Sequence, residues 1–150
     1  MGRISYQQLF VLIMRLVLAS VFVSAALPKV RDPVAFANAV EGFRVVGPEL
    51  SNWVALILPW LELVTGIGIL IPWICRSSGI IIAALLVIFI ALHASAWIRG
   101  LEIDCGCFGS ETSDKSTNYL WLILRNTLLL GTCFPIIYKD WKNKSMADPL

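Results

Sequence analysis

The sequence predicts an all-α membrane protein: a four-transmembrane-helix bundle with a short interfacial helix between helices 1 and 2. Three observations predict it. The 150-residue chain is 58% hydrophobic and only 15% charged, with a mean hydropathy of +0.79, whereas soluble chains are nearer a quarter charged. Its apolar residues gather into four runs near the length of about 20 residues that a bilayer requires. Aromatic residues mark nearly every border of those runs: Tyr6, Trp53, Trp73, Trp97, Tyr119, Trp121, Tyr138 and Trp141. Rings with an oily body and a wet tip favour the headgroup level, so the borders support the spans independently of hydropathy. A net charge of +2, with no basic cluster interleaved with aromatics, argues against nucleic acid as a partner. The lipid bilayer is the expected partner, and residues 1–150 are expected to form one domain.

Span one is predicted over 9–27. Its "VSAA" at Val23 to Ala26 has the look of a signal-peptidase site, but Arg15 interrupts the apolar run, so a retained helix is expected. The following segment, "RDPVAFANAVEGFRVVGPEL", predicts a short helix with Asp32 as N-cap, Pro33 at the first helical position and a stop at Gly47-Pro48. Phe36, Ala37, Val40 and Phe43 fall on one apolar face at helical spacing. That face predicts a lid lying on the membrane surface over the bundle. Span two is predicted over 53–73. Pro59 removes the backbone donor that would serve the carbonyl of Ala55, and Gly66 and Gly68 permit close helix approach. Spans three and four are predicted over 79–98 and 119–138.

An even number of spans puts both termini on one side. That side carries Arg3, Arg76, Lys139, Lys142 and Lys144; the opposite loops carry Lys29, Arg31, Arg44, Arg99 and Lys115. The count is a tie, and the higher density in the short tails and the short 74–78 loop decides for cytoplasmic termini. The expected location is therefore the bacterial inner membrane, with loops 28–52 and 99–118 facing the periplasm.

Three ionisable residues interrupt the spans: Arg15 in the first, Glu62 in the second, Arg125 in the fourth. Each costs a few kcal/mol at membrane depth and is expected to face the bundle with a partner. Glu62 is expected to bridge one or both arginines. Two readings stand: a structural clamp that sets helix order, or a polar pocket for a quinone head group or a proton. His93, the single histidine, lies in span three near the periplasmic side; it is read either as a hydrogen-bonded packing residue or as part of such a pocket.

The long polar interval before span four contains "DCGCFG", with Cys105 and Cys107 one glycine apart. A disulfide between them is geometrically allowed; the ring is strained, which makes it easier to reduce. Gly106 relieves part of the strain through its access to positive φ. A metal site would need more ligands, and the spacing of zinc sites is absent, so no metal is expected. Bonding of each cysteine elsewhere, or two inert turn thiols, are the remaining readings. Cys75 and Cys133 fall on the other half of the bundle and read as packing residues, a second redox pair being the sharper alternative.

Taken together, these residues resemble a known family. Arg15, Lys29, Asp32 and Pro33, then Pro59 and Glu62, then Cys105-Gly106-Cys107-Phe108-Gly109, then Arg125 and Asn126 are similar to the MauE branch of the DoxX-like integral membrane superfamily. The resemblance implies membrane thiol-redox work with a periplasmic thioredoxin-like partner, assisting the maturation of periplasmic redox proteins such as methylamine dehydrogenase. Cys105 and Cys107 would then carry the exchange, and Glu62, Arg125, Arg15 and His93 would line a quinone or proton pocket. A non-catalytic accessory subunit that scaffolds a larger membrane electron-transfer complex is the alternative, and a lipid- or quinone-binding module a third.

Overall fold

The computed structural model describes residues 6–101 and 118–147. Cys105 and Cys107, with their neighbours from Glu102 to Thr117, lie outside the described residues. So do Arg3 and the side chains of Trp141, Lys142 and Lys144. The fold is all-α: α1 (Tyr6–Arg31), α2 (Pro33–Gly42), α3 (Pro48–Gly68), α4 (Cys75–Ile98) and α5 (Tyr119–Ala147). Four of these helices hold a stretch long and apolar enough to cross a membrane: Gln8–Arg31, Pro48–Gly68, Cys75–Ile98 and Tyr119–Lys139. Between 22% and 33% of each stretch is buried within the chain. Most of their apolar surface therefore faces outward, as a lipid solvent requires and water does not.

Helices α1 and α5 run past the predicted spans, α4 starts earlier, and α3 is displaced toward the N-terminus, starting at Pro48 and ending at Gly68 instead of 73. Pro28 lies inside α1, where it forfeits the backbone bond to the Ser24 carbonyl, and the helix continues past it. The backbone amide of Asp32 closes the last turn on the Pro28 carbonyl at 3.0 Å, and Lys29 and Arg31 sit in that turn, where the helix dipole favours cations. The extension carries Lys29 out of the predicted loop and into the bundle. Helix α2 begins as predicted, with the Asp32 carboxylate accepting from the Ala35 amide at 2.9 Å. It ends earlier, at Gly42, and Gly47-Pro48 starts α3 instead of stopping α2: Gly47 is the N-cap, proline occupies the first turn and Glu49 follows. Proline at a helix start and proline after a helix stop look alike in sequence. The intervening turn places Arg44 at φ 51, and the Arg99 guanidinium donates to the Phe43 carbonyl at 3.1 Å, tying the turn to the end of α4.

The long helices alternate up and down in the ring order α1–α3–α4–α5, so that α1 faces α4 and α3 faces α5 across the centre. Small residues set the close approaches. A Cβ on Gly66 would stand 3.0 Å from Phe22 Cβ, and one on Gly68 would meet Ser78 Oγ; Gly79 packs against Ile137. Leu18, Phe22, Ile69, Ile82, Leu86 and Ile136 form the central core. Because Phe22 Cβ is rigidly held by its own helix, Gly66→Val must push α1 away from α3. It is expected to lower stability by about 1–3 kcal/mol, read as a lower unfolding midpoint in detergent; an unchanged midpoint would mean that the α1–α3 contact is looser than described.

Helix α2 closes the end of the bundle opposite the termini. Phe36 and Ala37 are buried against Ala55 of α3, with Val40 and Leu58 packed beside them. Phe36 and Val40 also line a pocket beneath α2. The C-terminal end of α4 and the start of α5 lie at this same end.

Candidate functional site

Leu18, Phe22, Ala26 and Lys29 recur along one face of α1, and all four are buried. The inner stripe of the helix thus ends in a lysine. Side chains on a helix lean toward its N-terminus, so the Lys29 ammonium is carried back into the bundle. It meets both carboxylate oxygens of Glu62 on α3, at 2.6 Å and 2.8 Å. The two side chains are 2% and 1% exposed. The same ammonium lies 5.0 Å from the centre of the Phe36 ring on α2 and 5.2 Å from that of Phe89 on α4, within cation–π range. The Lys29–Phe89 contact crosses the diagonal of the ring, joining two helices whose backbones do not touch. Pro59, one turn before Glu62, is also buried, whereas Trp60 points outward at 56% exposure.

His93 stands beside this pair on α4. Its Nδ1 lies 2.6 Å from the Phe89 carbonyl. A carbonyl oxygen only accepts, so Nδ1 carries a hydrogen and donates it. The imidazole meets Phe43 edge-on at 5.8 Å and Tyr119 at 6.5 Å. Tyr119 in turn donates its hydroxyl to the Leu101 carbonyl. The two described anchors of the cysteine-bearing segment, Leu101 and Tyr119, are therefore joined to each other beside His93.

A cavity of about 30 Å³ lies at the centre, lined by Lys29, Glu62, His93, Arg125 and Asn126 among apolar neighbours. That is room for about two water-sized molecules. Arg125 reaches the Asn126 side-chain oxygen at 3.4 Å. A second, larger pocket of about 380 Å³ opens from the same residues, beneath α2 and between α3 and α4; Lys29 and His93 line both.

Of the residues singled out from the sequence, Glu62, His93 and Arg125 converge on one cavity and Arg15 does not. Arg15 lies about 21 Å down α1 from Lys29, beyond the reach of any side chain. Glu62 pairs with Lys29 and not with the two arginines it was expected to bridge. In the sequence Lys29 is hidden as a partner because Pro28 stands where the apolar run ends. The helical register 18, 22, 26, 29 was the signal that could have found it. Cys75 and Cys133 are both buried, and neither is in a disulfide. With Gly79 set against Ile137, the antiparallel register brings Cys133 level with Ala83, about 12 Å along the bundle from Cys75. A disulfide needs Cα atoms within about 7 Å, so these two are separate packing residues. Among the described residues, no group of three or more His, Cys, Asp or Glu is arranged to hold a metal ion.

These features define a class: a four-helix membrane bundle with a buried, aromatic-lined ion pair at the end where α4 stops and α5 starts. Comparison with known proteins is specific. The chain belongs to the MauE family, whose model, described as methylamine utilisation protein MauE, matches residues 7–139. It is 36% identical over 125 residues to the methylamine utilization protein MauE of Paracoccus denitrificans, covering 82% of this chain and 66% of that protein. The MauE of Methylorubrum extorquens is 34% identical over 117 residues, 77% of this chain and 61% of its own length. That of Paracoccus versutus is 32% identical over 118 residues, 77% and 62%. The chain thus spans just under two thirds of the length of these relatives. No solved structure matches it significantly.

Proposed function

We propose that this MauE-family chain is a membrane thiol–disulfide redox protein serving methylamine utilisation. Cys105 and Cys107 exchange electrons with a periplasmic thioredoxin-like partner and so assist the maturation of periplasmic redox proteins. In the exchange, one dithiol loses two electrons and two protons to become a disulfide, and the partner's disulfide gains both to become a dithiol. Its termini lie in the cytoplasm and its cysteine loop in the periplasm. One observation carries the reading: the segment that holds the pair is anchored by Leu101 and Tyr119, and Tyr119 faces His93 at the edge of the buried polar cavity. Both described ends of the segment that carries the thiols thus lie beside a site with charged groups, which supports the reading.

The test is thiol trapping followed by mass spectrometry across a series of redox buffers. Cys105 and Cys107 are expected to interconvert between dithiol and disulfide, with a midpoint more oxidising than the roughly −300 mV typical of structural disulfides. A pair that stays in one state throughout would end the proposal. Stoichiometric co-purification with a membrane complex, with the pair inert, would instead establish a scaffolding subunit.

A further inference from the structure

The larger pocket beneath α2 has a composition that selects its occupant. It holds about 380 Å³, within the range of small-molecule sites. Three phenylalanine rings, Phe36, Phe43 and Phe89, line it together with the His93 imidazole. Aromatic walls of this kind favour a flat conjugated ring by offset and edge-on stacking. On one side Leu58 of α3 and Ile88 of α4 border it, and Ile88 is 52% exposed on the apolar, lipid-facing side of the bundle. This border opens the pocket toward the hydrocarbon region.

Its polar end is equally restrictive. Lys29 brings a positive charge that Glu62 already neutralises at 2.6 Å and 2.8 Å, so the pair as a whole has no net charge to hold a phosphate or carboxylate head. What it offers is hydrogen bonding: an ammonium has three hydrogens, of which the carboxylate takes two. The His93 imidazole adds a second polar edge to the lining. A flat, uncharged, lipid-soluble ring with carbonyl oxygens matches both ends. We infer that the pocket beneath α2 binds the head group of a membrane quinone, with Lys29 at one carbonyl oxygen and its apolar tail leaving between α3 and α4.

The ammonium would stabilise negative charge gained by that oxygen on reduction. The redox coupling, unlike the binding, rests on the function proposed above. There the cysteine dithiol loses two electrons and two protons and forms its S–S bond, while the quinone gains both and becomes the quinol; the reverse step balances equally.

The test is calorimetric titration of the full chain in detergent with decylubiquinone and with a short-tailed naphthoquinone, against empty micelles. Saturable one-to-one binding of at least one quinone is expected. Val40→Phe, which fills the pocket, and Ile88→Trp, at its lipid-facing border, are each expected to weaken it by at least about tenfold. Ile88 is already exposed to lipid, so that variant keeps the bundle intact. Cys105→Ser/Cys107→Ser is expected to bind as the parent does. Binding that never saturates, that ignores both pocket variants, or that is displaced one-for-one by a phosphatidylglycerol overturns the assignment. Saturable, pocket-dependent binding with thiols that do not respond to quinone or quinol upholds the site and defeats the thiol reading instead.

Discussion

Lys29→Met is expected to cost about 3–5 kcal/mol of stability, the largest effect of any single substitution considered. Methionine keeps the length and volume of the lysine stem, so packing changes little. What is lost is the hydrogen-bonded partner of the Glu62 carboxylate, a group 1% exposed at a depth where an uncompensated charge is costly. Lys29→Met/Glu62→Met is expected to recover most of the loss, because removing both charges removes both desolvation costs. Reversible unfolding in mixed detergent micelles, read by circular dichroism for all four members of the cycle, gives the coupling directly. Additive single-mutant costs, or a Lys29 variant within about 1 kcal/mol of the parent, would show that the pair does not hold the bundle.

The second large effect is on exchange itself. With one thiol of the pair removed, a mixed disulfide formed by the other has no internal thiol to resolve it. Either Cys105→Ala or Cys107→Ala is therefore expected to abolish turnover, and whichever leaves the attacking thiol in place should accumulate a covalent adduct with the thioredoxin-like partner. Non-reducing gels and mass spectrometry of membranes from both variants identify it. Retained exchange in either variant, or capture of no adduct by both, would remove the cysteine pair from the mechanism.

The ion pair and the thiols differ in how openly the chain announced them. Glu62 is conspicuous in sequence, since a carboxylate amid apolar residues demands a partner. The identity of that partner was hidden, because Lys29 lies behind Pro28 and looks like the first residue of a loop. Arg15 and Arg125 looked equivalent as lone arginines within spans. They part company in three dimensions: Arg125 lines the cavity with Glu62 and His93, while Arg15 lies about 21 Å down α1 from Lys29. Helix α2 was legible at its start, where Asp32 and Pro33 act within one turn of chain. Its end was misread, since Gly47-Pro48 serves the next helix.

Hydropathy, aromatic borders and helix caps are local properties, each carried by a short stretch of chain, so the sequence by itself determined the solvent, the four spans, the up-down order and the start of the lid. The tertiary structure alone decided which charges meet. Lys29 and Glu62 are 33 residues apart, and their contact depends on α1 running through Pro28, on the close approach at Gly66 and on the ring order α1–α3–α4–α5. Register and helix order are properties of pairs of helices, set by how their surfaces interlock, and no single segment encodes them.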